Sequence, residues 1–568
     1  MLRRSALMLF IVVLSGGKML SQVSPHIGLR DNTPAVFAFV HARIVQSAGS
    51  ILPRGTLVIR DGIIQEVGEA VHPPADATVI DLEGKTIYPG FIDLSSDYGT
   101  VKPAPQGAQG TFGINTPTVT PSKGPAHWNP KVTADIDAGS QFVPDTKDAE
   151  KMRSQGFTVV LSTPQIGIFR GSSALVNLGA GTAGELVMKR QVAQTVSFET
   201  SGGFGGGYPN SLMGVIALIR QTWLDADWYR RARDAYAKNS DQKAPELNSS
   251  LAALEEAVQG KQPVVTEISD DLNFVRAAKI AREFSLKVWV RGSGYEYRRL
   301  DDVKATKLPV IVPLNFPDAP AVESPEEAMN VSLQDLEYWD AAPENPGRLE
   351  KAGVPFVLTS ATLKDVGTFL SQLRKAVERG LSEKAALAAL TSTPAAWLGL
   401  EKELGSLERG KIANFVVTDG DLFSEKTKIT TVWISGKQYD VKTIPVTEPR
   451  GVWTLRISVP SDSTGSLSLT GEPEKLSGNI RWGGKFVRLA SASFSVDRIA
   501  LTFAGDSVGQ KGTVRLSGNV GRDDIIGVGD LPGGDSFTWS ATRTGPPRSE
   551  PDTSKPPKAQ MSSFVETL

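Results

Sequence analysis

Two carboxylates fall where a side chain could do chemistry. Asp97 closes the run PGFIDLSSD and Glu267 closes PVVTE, each at the end of a short apolar stretch of strand character. A carboxylate pair can hold a hard cation such as calcium or magnesium through oxygen. Two carboxylates without further clustered ligands seldom make a tight site, so the preferred reading pairs them with cations, Arg170 or Arg291 being at hand. Histidine is scarce: His26 follows the first apolar run, His41 and His72 lie in a β-rich start, and His127 sits beside Trp128 in a long loop. His127 could reach a ligand from that loop, but a residue so placed more often packs. There is no cysteine, which excludes disulfides, thiolate metal sites, cysteine nucleophiles and lipid attachment at an amino-terminal cysteine. Ser95 and Ser96 have no nearby histidine base and lie in no GxSxG elbow, so serine hydrolysis is a poor fit. The glycine run SGGFGGGYPNS (201–211) matches neither GxGxxG nor GxxxxGK and reads as a connector to a helix.

The elements around these residues follow from patterning. The chain has 568 residues with 40% apolar, enough for two or three packed cores. Lys and Arg number 61 against 62 Asp and Glu, so no overall charge draws it to nucleic acid. Arg3 and Arg4 precede an apolar run from Ala6 to Leu14, the order of a secretory signal over 1–22. This predicts export to a periplasmic or extracellular location, with membrane contact only through that segment if it stays uncleaved. Short β-rich runs fill 35–85, with Asp61-Gly62 as a hairpin turn, and a long loop spans 99–142. From about 145 to 400, FTVVLST, PVVTEI, KVWVRG, LPVIVPL and PFVLTS alternate with amphipathic stretches such as DLNFVRAAKIAREF. That alternation implies a parallel α/β sheet, open or closed. Short strands return over 404–445, an antiparallel β domain, sandwich or small barrel, is predicted over 450–545, and 546–568 read as a disordered tail.

The β-rich start, PGFID (89–93) and LGSLERGKIANFVV (404–417) occur in an order and spacing that resemble the amidohydrolase superfamily, closest to its imidazolonepropionase-like exported members. The resemblance covers about 35–445. It implies an α/β fold, a (β/α)8 TIM-like barrel over 86–403, flanked by a composite β-sandwich from 35–85 and 404–445, with any site at the carboxyl ends of the strands. Active members of the family carry His-x-His after PGFID, further histidines on later strands and an aspartate after the last strand, and use zinc. Here the His-x-His positions are Ser95 and Asp97. The later strands offer Thr266, Glu267 or Ile268 and Arg291 or Ser293, and Ala361 stands where the aspartate is expected. The resemblance therefore points to a degenerate metal site with no metal or other cofactor, hence a pseudoenzyme.

The leading expectation is an exported amidohydrolase-related protein that binds a small-molecule ligand or pairs with an active relative, with association into an oligomer left open. The alternative keeps a hydrolase of non-peptide carbon–nitrogen bonds, in cyclic amides or small peptides, working through Asp97 and Glu267. A third reading gives the carboxyl-terminal β region a binding role toward cell-envelope or carbohydrate partners.

Overall fold

The computed structural model describes residues 35–100, 125–199, 208–321, 324, 327, 329–441, 449–458, 463–472, 475–482, 485–495, 498–508, 511–521 and 524–545. The expected signal, the tail, much of the 99–142 loop and most of the glycine run lie outside them. Strands β1 (Val36–Ser47), β2 (Ser50–Arg60), β3 (Ile63–Gly68), β4 (Thr78–Asp81) and β5 (Thr86–Pro89) come first. Then follow β6 (Phe91–Ser96), β7 (Phe157–Ser162), β8 (Phe169–Ser172), β9 (Ala174–Asn177), β10 (Val187–Lys189) and β11 (Gln194–Ser197). The α/β unit ends with β12 (Val264–Glu267), β13 (Val288–Arg291), β14 (Val310–Pro313) and β15 (Phe356–Thr359), after which β16 (Phe415–Thr418), β17 (Ile429–Ile434) and β18 (Lys437–Asp440) return to the first sheet.

That first sheet is composite: its order is β18-β17-β16-β5-β1-β2-β3, with β4 paired to β1. The two segments predicted to meet do so, because β16 runs antiparallel to β5 with Phe415 opposite Pro89. The expected sandwich of two sheets is corrected to one eight-stranded sheet, whose strand β1 carries register shifts near Ala42. His41 at φ 61° marks that irregularity, and bulges of this kind bend a strand. One strand can then serve a curved sheet where two facing sheets were anticipated.

In the α/β unit, β6 and β7 are parallel, and β11 to β15 form a parallel series. Strands β8 and β9 follow one another across Ser173 and run backwards, β9 against β7 and β8 against β11. Ser173 joins the halves by donating to the Ala193 carbonyl and accepting from the Val192 N–H. At the other margin β15 lies against β6. Helices cover the outside; Asp271–Glu283 begins at Asp270, whose carboxylate accepts from the Asn273 N–H, and it buries Phe274, Ala277, Ala278 and Ala281 at helical spacing.

Strand periodicity decides which side chains face inward. Ile92, Leu94, Val159, Leu161, Val265, Trp289, Ile311 and Val357 form one cluster, while neighbours such as Phe91, Val160, Val264, Val288 and Leu358 join the larger core with the helices. Glu267, Arg291 and Thr359 each follow an inner residue by two, so all three sit on the inner side at a strand's carboxyl end. A third core belongs to eight antiparallel strands, β19 (Gly451–Ile457), β20 (Ser463–Glu472), β21 (Lys475–Trp482), β22 (Lys485–Ser495), β23 (Arg498–Ala504), β24 (Thr513–Val520), β25 (Asp524–Asp530) and β26 (Ser536–Gly545). They close into a barrel with β26 paired to β19.

Candidate functional site

A cleft of about 480 Å³ opens at the carboxyl ends of β6, β12, β13 and β15. Its volume is that of a small-molecule site. Arg170 enters it because β8 is reversed: Phe169 pairs with Val196 near the end of β11, so the first residues of β8 lie at the mouth rather than at the base. Gly171, at φ 110°, sits at the register shift between β8 and β11, and a Cβ there would meet the Ile136 carbonyl.

Arg170 Nη1 donates to Glu267 Oε2 at 2.5 Å, and Arg291 Nη2 donates to the same oxygen at 3.1 Å. The three side chains are 6%, 7% and 3% exposed, so this is a buried cluster of two cations and one anion. Arg170 also reaches Glu199 at 3.4 Å, but that carboxylate is half exposed. Arg291 Nε is buried and has no hydrogen-bond partner among the described residues.

Asp97 and Glu267 therefore line one cleft in different states. Glu267 is committed to two arginines, while Asp97 is exposed at the rim, its carbonyl accepting from the Thr100 hydroxyl. Ser95 is buried at the cleft wall, and its carbonyl accepts from Thr359 Oγ1. Ala361 lies just past β15 on the same wall, its N–H donating to Thr359 Oγ1. Thr362 follows at φ 65°, an uncommon conformation for a β-branched residue that costs on the order of 1–3 kcal/mol.

The sequence reading passed over Asp93, which holds β6 to β15. Its carboxylate accepts from Thr359 Oγ1, from Ser360 Oγ at 2.6 Å, from the Ser360 N–H and from the Ser95 N–H. Complete burial pushes its carboxyl above the ordinary range, against the opposing pull of these donors. The signal was present: an acidic residue inside an otherwise apolar strand must have partners.

The histidines do not join this cleft. His127 is buried beside Trp128, with Nδ1 accepting from the Asn129 N–H at 3.1 Å, and burial lowers its pKa. His41 bonds exposed Asp81 and His72 is exposed on the first sheet's side; His26 lies outside the described residues. Among the described residues, no three His, Cys, Asp or Glu side chains converge as a metal site would require.

The family model described as "Amidohydrolase family" matches residues 344–439. A dihydroorotase from Anaeromyxobacter dehalogenans (strain 2CP-C) is 44% identical over 52 residues, 9% of this chain and 12% of that protein. The chain thus matches only a small part of that relative's length. An amidohydrolase structure from Thermotoga maritima MSB8 aligns with 71% of this chain and 100% of its own at TM-score 0.57 and 22% identity. That likeness concerns the fold. A molinate hydrolase structure aligns with 73% of this chain and 97% of its own at TM-score 0.41 and 17% identity, too low a score to argue from.

Proposed function

We propose that this chain is a member of the amidohydrolase superfamily whose cleft binds a small molecule without a metal-activated water, a reading supported by the family-model match over 344–439 and the shared fold. The ring of strands is the superfamily's (β/α)8 barrel in a variant form, with β8 and β9 as a reversed member. The observation that carries this reading is the donor set at the mouth. A zinc hydrolase site needs about three nitrogen or oxygen ligands and an open position for water. Here the corresponding wall offers Ser95, rim-exposed Asp97, Glu267 already shared by two guanidiniums, and Ala361. The residues present do not fit zinc, because Arg170 and Arg291 place positive charge where a dication would sit.

Ala361 also has no group to accept a proton from water. The alternative carbon–nitrogen hydrolase at Asp97 and Glu267 is weakened by the same ion pairs, since Glu267 would have to leave two arginines to act. Export through the 1–22 segment and pairing with an active relative belong to this proposal, and a binding protein outside the cytoplasm needs no chemistry at the mouth.

Thermal unfolding of untagged protein with added zinc, manganese, calcium or magnesium tests the reading. Ligands that bind only the native state raise the midpoint with concentration. No metal should raise it; a saturable rise removed by a chelator and by Asp97→Ala would support the hydrolase instead.

A further inference from the structure

We infer that the floor of this cleft is a carboxylate site, with Arg291 as its main donor and Arg170 beside it; this rests on the metal-free reading above. Two buried guanidiniums share a single oxygen of one buried carboxylate, and Arg170 alone has a second anion, half-exposed Glu199 at 3.4 Å, so the buried side chains by themselves carry one positive charge in excess. Burying charge is costly unless it is balanced, and Arg291, unlike Arg170, shares its one anion and has no second among the described residues. Arg291 spends Nη2 on Glu267 and lines the cleft, while its fully buried Nε, out of a ligand's reach, has no partner among the described residues. A planar guanidinium with donors to spare is suited to a carboxylate.

The cleft's other charges, partly buried Asp148 and exposed Lys151 among them, lie nearer solvent than this cluster. Glu199 is half exposed and 3.4 Å from Arg170, Asp365 caps a short helix by accepting from the Gly367 N–H, and Lys364 is exposed and paired with Asp318. Asp97 is exposed at the rim. A single excess charge on the floor matches a monoanionic carboxylate. A phosphate dianion would bring surplus negative charge against Glu267 and Glu199. The ligand is thus a small organic acid that sends its carboxylate to the floor, past the Ser95 and Ser360 wall.

Calorimetry of the full chain near neutral pH, with acetate, succinate and inorganic phosphate as probes at matched ionic strength in chloride, tests this. The carboxylates should bind saturably, and Arg291→Met should weaken them by about tenfold or more, as expected for loss of a charge-assisted pair. Glu267→Gln should tighten them, because both guanidiniums then lack their internal anion. Absence of saturable carboxylate binding, binding of phosphate alone, unchanged affinity in Arg291→Met, or no tightening in Glu267→Gln would each overturn the inference. Metal content measured on the same samples separates the two failures. Anion binding abolished by a chelator would bring down the metal-free reading, whereas no metal and no anion binding would remove only the carboxylate site.

Discussion

Glu267 has two buried arginines on one oxygen, and its removal should be felt in stability before any function is known. Glu267→Ala leaves Arg291 without an anion and Arg170 with half-exposed Glu199 alone, and breaking a buried pair costs about 3–5 kcal/mol. Urea unfolding should show that loss, and added acetate should restore part of it; a loss below about 1 kcal/mol would mean the cluster is solvated like a surface pair. His127 makes a second prediction at this scale. Its Nδ1 accepts from the Asn129 N–H, so the folded state holds the neutral ring, and burial lowers its pKa. With the folded pKa below the unfolded one, the unfolded chain binds more protons as pH falls below about 6.5, and stability falls in the same window. Stability measured between neutral and mildly acidic pH should flatten in His127→Gln. An equal slope in both proteins would show that other groups set it.

The reversed pair β8 and β9 is the element on which the cleft depends. It brings Arg170 to the mouth, and Gly171 makes its path feasible. Gly171→Ala, at φ 110° and against the Ile136 carbonyl, should destabilise by about 1–3 kcal/mol and weaken ligand binding with it; unchanged denaturant unfolding would contradict this role. This element was not legible in the sequence. FRGSSALVN is two four-residue strands around Ser173, too short and too irregular at Gly171 to show a period of two. The longer alternation of FTVVLST, PVVTEI and PFVLTS did reveal the parallel strands, because runs buried on both faces stay apolar throughout. The composite sheet was legible from PGFID and LGSLERGKIANFVV, since those turns fix where both chain segments enter it. Its joining into one bent sheet was not, because a bulge such as that near His41 has little sequence signature. At the site, the family resemblance pointed to Glu267 and Arg291 on later strands, and Arg170 and Arg291 were named as cations that could pair with the carboxylates. Asp93 was missed, because its importance comes from partners more than 260 positions away, Thr359 and Ser360.

As a whole, the molecule joins this α/β unit to a carboxyl-terminal barrel with its own core. Trp453, Leu455, Leu501, Leu516 and Trp539 fill that interior, while β24 turns Thr513, Arg515, Ser517 and Asn519 outward. The outward face of β24 is polar, whereas β25 turns Ile526 and Val528 outward. Among the described residues, no helix is long and apolar enough to cross a membrane, which leaves strands outside that statement. Because β19 pairs with β26, the described strands of this barrel close on one another, and residues 449–568 made alone should unfold cooperatively as an all-β protein. A broad, non-cooperative transition would show that the barrel needs the rest of the chain. In the other unit, the proposal is that Arg170 and Arg291 stand where a metal centre would otherwise lie. Elemental analysis of the untagged chain, after separate incubation with zinc, manganese, calcium and magnesium and removal of free metal, is its most direct test. Strongly substoichiometric metal in every sample is expected; stoichiometric retention of any one, lost in Asp97→Ala, would contradict it.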